Sequence, residues 1–114
     1  MTRVYLATTR DGLARLHETG AAPDDAERFV APGDDEESEY DALMTAAAAA
    51  AELRGPGGRR VVVVAELAGA DDPVATTDVV AVHADTADRP GDADPEDDLA
   101  WFATQEIPDL VRGT

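Results

Sequence analysis

Arg59-Arg60-Val61-Val62-Val63-Val64-Ala65-Glu66-Leu67 is the stretch that decides how the chain must fold. Its four consecutive valines are β-branched and stiff at χ1, which suits a pleated surface. A run without polar alternation fits a strand covered on both faces. Gly55-Pro56-Gly57-Gly58 punctuates its start, and Gly69 with Asp71-Asp72-Pro73 its end. The stretch is expected to be the central strand of a small α/β domain.

Before it comes the best helix signal in the chain. Asp34-Asp35-Glu36-Glu37-Ser38-Glu39 opens it, acidic side chains that complement the positive end of a helix dipole. Tyr40, Leu43, Met44, Ala47 and Ala51 then share one face. Ala46–Ala51 has the highest helix propensity available, and Gly55-Pro56 ends the run after Arg54.

Further toward the N-terminus, Arg3–Ala7 reads as a strand with Val4 and Leu6 on one side and Tyr5 on the other. Asp11–Thr19 reads as a helix with Leu13, Leu16 and His17 inward. Its N-cap comes from Thr8-Thr9-Arg10-Asp11, and Gly20 follows as the left-handed stop. Arg28-Phe29-Val30-Ala31 is a candidate second strand, stopped by Pro32-Gly33.

After the valine run, Asp78–Ala84 suggests another strand. The segment Asp85–Asp98, with seven acidic residues in fourteen, is expected to be a loop, flexible at about 85–94. Pro95, capped by Asp94, then opens a predicted last helix. It carries Leu99, Phe102 and Ala103 inward and Trp101, Gln105 and Glu106 along its rim; Asp109–Val111 adds a final turn.

The expectation is therefore one α/β (or α+β) two-layer domain spanning 1–114. Its sheet has three to four strands, with the Tyr40–Leu53 helix across one face and the first and last helices completing the cover. Strand order does not follow from the sequence.

Composition narrows the functional classes. Leu, Ile, Val and Phe make up only 22 of 114 residues, so the core is modest. The net charge of −16 repels nucleic-acid phosphates and anionic membranes, so neither is an expected direct partner. All nine basic residues are arginine, and alanine is abundant. High-GC codon usage or salt adaptation accounts for that pattern as readily as function does. No cysteine is present, so thiol chemistry and Cys-type zinc sites are excluded. No secretory leader or membrane span is read, so a cytoplasmic location is expected.

No catalytic set emerges, and no metal or cofactor is expected. His83 and Asp85 share one strand face and form the nearest thing to an acid–base pair, but Ser38, the only serine, lies inside an acidic cap. The run 92–98 places oxygens at alternate positions. It lacks the glycine and glutamate of a calcium loop, with Ala103 at the twelfth position. Gly55–Arg60 joins a helix to a strand, the reverse of a phosphate loop, and leaves Arg59 and Arg60 as the one dense basic spot.

Two groups stand out as partner-binding candidates. They are the carboxylates Asp34, Asp35, Glu36, Glu37 and Glu39, and the rim residues Trp101, Gln105 and Glu106. The first group points to a non-enzymatic interaction or regulatory protein meeting a basic protein surface, in its sharpest form a nucleic-acid mimic. The second points to a small-ligand pocket or enzyme site near the aromatic helix, walled also by Tyr5 or Tyr40 and a histidine.

Four segments in this order carry a resemblance: Arg3-Val4-Tyr5-Leu6-Ala7-Thr8, Asp34-Asp35-Glu36-Glu37-Ser38-Glu39-Tyr40, Arg59-Arg60-Val61-Val62-Val63, and Trp101-Phe102-Ala103-Thr104-Gln105-Glu106-Ile107. The chain resembles a family of small, acidic, uncharacterised proteins from high-GC Gram-positive bacteria. It is shorter than that pattern around Ala21–Arg28 and Ala68–Asp98, and Phe102 stands where the pattern has tyrosine. The resemblance implies a lineage without an assigned activity. It also implies that the acidic helix start and the terminal aromatic segment carry the family's identity.

Overall fold

A computed structural model describes residues 1–22, 26–54, 58–88 and 97–112. Five strands form one antiparallel sheet: β1 (Thr2–Thr8), β2 (Arg28–Val30), β3 (Val61–Leu67), β4 (Val79–Ala84) and β5 (Ala100–Phe102). Three helices accompany them: α1 (Arg10–Thr19), α2 (Glu36–Arg54) and α3 (Ile107–Arg112). The order across the sheet is β2-β1-β3-β4-β5, so the valine strand is the middle one.

Position and composition explain each other in β3. Val61, Val63, Ala65 and Leu67 face one core layer, while Val62 and Val64 face the other. All six are buried, and burying each valine contributes about 1.5–3 kcal/mol. β1 alternates the same way: Val4 and Leu6 join the first layer, Tyr5 the second.

The α/β class and the single sheet with three helices stand as read from the sequence. The sheet has five strands rather than three or four, and the helices divide between its faces. Leu13 and Leu16 of α1 and Ile107 of α3 close the first layer. Ala42, Ala46 and Ala47 of α2 close the second. β2 and β3 run in the same direction on either side of β1, and α2 crosses over β1 to connect them.

Helix α1 has the expected ends. Thr9 Oγ1 accepts from the Gly12 amide at 3.2 Å, and Gly20 adopts φ 80°, its amide returning to the Leu16 carbonyl at 2.8 Å. His17, predicted inward, is exposed: Leu13 and Leu16 are the buried side chains of α1.

Helix α2 is rotated from its predicted face. Ala42, Ala46, Ala47 and Ala50 are the buried positions, Leu43 and Met44 are half-buried, and Tyr40 is exposed. Alanine lets the helix axis approach the sheet, so the larger side chains drape over its flanks instead of pointing straight down. The turn predicted after α2, at 55–57, lies outside the described residues.

The largest difference lies at the C-terminus. Residues 100–102, predicted to be helical, form β5, which pairs with β4 through Val82–Phe102, His83–Trp101 and Ala84–Ala100. A 3₁₀ turn at Thr104–Glu106 follows, and α3 begins only at Ile107. Pro108 sits in the first turn of α3, where its missing N–H costs nothing, so it marks a helix start rather than an end. The predicted helix opening at Pro95, the calcium-like run through residue 96 and most of the flexible loop at 85–94 fall at 89–96, outside the described residues.

Candidate functional site

The acidic start of α2 is a structural cap first. Asp35 accepts from the Ser38 amide at 3.2 Å and from the Ser38 hydroxyl at 2.8 Å. Those bonds stabilise the charged form and hold the Asp35 carboxyl below its ordinary range. Its carbonyl also accepts from the Glu39 amide at 3.1 Å. Ser38 is therefore part of a helix terminus.

Glu39 serves a different purpose. Arg3 lies between Glu39 and Glu66, donating to one at 2.7 Å and to the other at 2.8 Å. The hydrogen bond to Glu66 pushes the Arg3 pKa up. These side chains, with Met1, Val30 and Asp34, line a cleft of about 270 Å³ at one end of the sheet. Asp34, Glu36 and Glu37 are exposed and enter no ion pair among the described residues. The structure thus separates the five carboxylates into a cap, an ion pair and three solvated charges.

At the other end of the sheet lies a polar cluster that sequence reading did not assemble. Arg60 immediately precedes β3 and Asp85 immediately follows β4; they are 1 % and 6 % exposed. Asp85 accepts from the Arg60 guanidinium at 3.0 Å and 2.7 Å and from the Arg60 amide at 2.8 Å. The Asp85 amide donates to the Arg60 carbonyl at 3.1 Å. A further guanidinium nitrogen donates to the Asp97 carbonyl at 2.7 Å. Two strand ends and the approach to β5 are thereby pinned together.

This cluster corrects two readings. Arg60 is buried, so Arg59 and Arg60 do not form a basic surface spot; Arg59 instead pairs with Asp88 at 3.2 Å. Asp85 is bound by Arg60 and does not form an acid–base pair with His83. His83 is half-buried, and burial pushes its pKa down. The only forewarning in the sequence was an arginine and an aspartate flanking two strands that turned out to be neighbours.

The predicted rim of Trp101, Gln105 and Glu106 does not exist as one helix face. Trp101 lies on edge strand β5, 61 % exposed, opposite His83. Gln105 and Glu106 lie in the 3₁₀ turn and are exposed; Glu106 accepts from the Ala103 amide at 2.7 Å. Tyr5 is buried beneath α2, and its burial pushes its pKa up. Tyr40 donates to Asp98 at 3.1 Å. The cleft of about 370 Å³ near the start of β5 is lined by Asp85, Asp88, Asp97, Asp98 and Ala100 among others, and Trp101 is not in its wall. The aromatic segment predicted to flank a pocket is therefore a strand and a 3₁₀ turn rather than a helix.

Among the described residues no three His, Asp or Glu side chains gather to hold a metal, and no helix is long and apolar enough to cross a membrane. With this geometry in place, the chain defines a small acidic α/β protein whose described surface carries solvated carboxylates and, among scattered exposed apolar residues, Trp101 on an edge strand. Residues 2–111 match the profile of a family of unknown function, DUF6912, and the chain belongs to that family. No curated protein and no solved structure matches it.

Proposed function

We propose that this is a non-enzymatic cytoplasmic interaction protein that meets a basic partner surface, in its sharpest form by presenting carboxylates in place of nucleic-acid phosphates. The observation that carries the reading is how the arginines are used. Arg3, Arg59, Arg60 and Arg112 pair with carboxylates of this chain, while Arg10 and Arg28 donate to its carbonyls. Most of the basic charge is thus committed internally, and Asp34, Glu36 and Glu37 project from one helix end into solvent. A surface of that kind attracts a basic partner over a range set by ionic strength.

The test is capture of partners at low and high salt, with the D34N/E36Q/E37Q variant alongside. This variant spares the Asp35 cap. Basic proteins held at low salt, released at high salt and missed by the variant are the expected result. Identical capture by the variant would remove the acidic helix start from the binding surface.

A further inference from the structure

Edges of sheets offer unpaired backbone groups, and proteins usually blunt them with charge, proline or a covering element. The two edges here differ. β2 carries Arg28, whose guanidinium is tied to the carbonyls of Ala70 and Asp72 at 2.8 Å each. β5 is Ala100-Trp101-Phe102, with neither charge nor proline, and among the described residues no strand pairs with its outer side. Phe102 turns into the core layer of α1 and α3. Trp101 lies on the opposite side, in register with His83 and, through it, with Val62. It is the only tryptophan in the chain and is 61 % exposed.

Charge around this edge selects the occupant. Asp98 precedes Trp101 by three residues and Glu106 follows it by five, both exposed. His83, the basic group across from Trp101, has its pKa pushed down by burial, which weakens any opposition to a cation there. A second copy of a chain carrying −16 is disfavoured by like charge.

We propose that the outer edge of β5 accepts an extended, arginine-bearing segment of a partner protein as a sixth strand, with Trp101 stacking on an arginine guanidinium. Main-chain hydrogen bonds supply the pairing, and alternate side chains of the incoming strand fall on the Trp101 side. Tryptophan offers the best aromatic face for a cation–π contact, and arginine is the cation most often found over one. The inference rests on the basic-partner reading above but places the specific contact at β5 rather than at the start of α2.

The probe is a synthetic peptide of alternating arginine and valine, titrated into the intact protein by calorimetry for the wild type and every variant, with the single tryptophan fluorescence followed alongside in the wild type. Binding with a change in Trp101 emission is expected, weakened about tenfold or more by Trp101→Ala. A peptide N-methylated at alternate backbone nitrogens should lose binding. Trp101→Phe, which retains an aromatic face, should recover part of the loss. A glutamate–valine peptide should not bind.

Equal affinity for the N-methylated peptide would overturn strand addition. Unchanged affinity in Trp101→Ala, with binding abolished by D34N/E36Q/E37Q, would overturn this site while leaving the basic-partner reading intact. Absence of binding by any arginine peptide would overturn both. Self-association that scales with concentration and is removed by Trp101→Ala would show the edge to be a contact between copies instead.

Discussion

Two arginines bracket the central strand, and each is held by carboxylates. At one end of β3, Arg60 is sealed from solvent and fully engaged with Asp85 and the Asp97 carbonyl. At the other end, Arg3 spans Glu39 and Glu66 with 42 % of its side chain exposed. Their hydrogen-bond distances are nearly equal. What differs is the water each has given up. A desolvated pair is intolerant of losing one member, because the survivor is left charged in a poor solvent for charge. An exposed pair that is broken hands its members back to water.

The comparison breaks most sharply at Asp85. Asp85→Ala should cost about 3–5 kcal/mol of folding stability, read by urea denaturation. Replacing both partners together, as Arg60→Met with Asp85→Leu, should cost less than the single change. A double variant less stable than Asp85→Ala would show that the pair adds more than the desolvation of either charge.

Arg3→Ala is the milder case and should cost no more than about 1 kcal/mol. Added salt should shrink that difference while leaving the effect of Asp85→Ala almost unchanged. A salt-independent loss at Arg3 would mean its aliphatic stem, rather than its charge, secures the cleft.

The smallest effect is expected from pH. Burial depresses the His83 pKa, so the folded chain resists a proton that the unfolded chain accepts. The stabilisation is complete above the unfolded value of about 6.5 and is lost as pH falls through the folded one. Melting temperatures of the wild type and His83→Gln, compared between neutral and mildly acidic buffer, should show a shallower acid decline in the variant. Parallel declines would assign the acid sensitivity elsewhere.

Local pattern carried the middle of the chain. The valine run, the Val4–Tyr5–Leu6 alternation and Gly20 after α1 each state their structure within a few residues, and the sheet honours them. β5 could not be read that way. Three residues are too short to display a period of two, while the Leu99–Phe102 spacing, following Asp94-Pro95 in the sequence, reads as part of a helix. Trp101 and Phe102 do favour strands, but their pairing with β4 is a non-local fact. The Arg60–Asp85 contact is hidden for the same reason: its members are 25 residues apart and meet only once β3 and β4 are neighbours. Membership of the family was legible from the four quoted segments.

Helix α2 faces the sheet with methyl groups. Methyls fix how high a helix rides above the strands, but they interlock too little to fix where it stops along its own axis. Among the described residues, longitudinal position is then set largely by side-chain bonds near its leading end: the reach of Arg3 to Glu39 and that of Tyr40 to Asp98. The helix behaves as a rail on a smooth bed, clamped near one end. Loosening those clamps would let it slide before it melts.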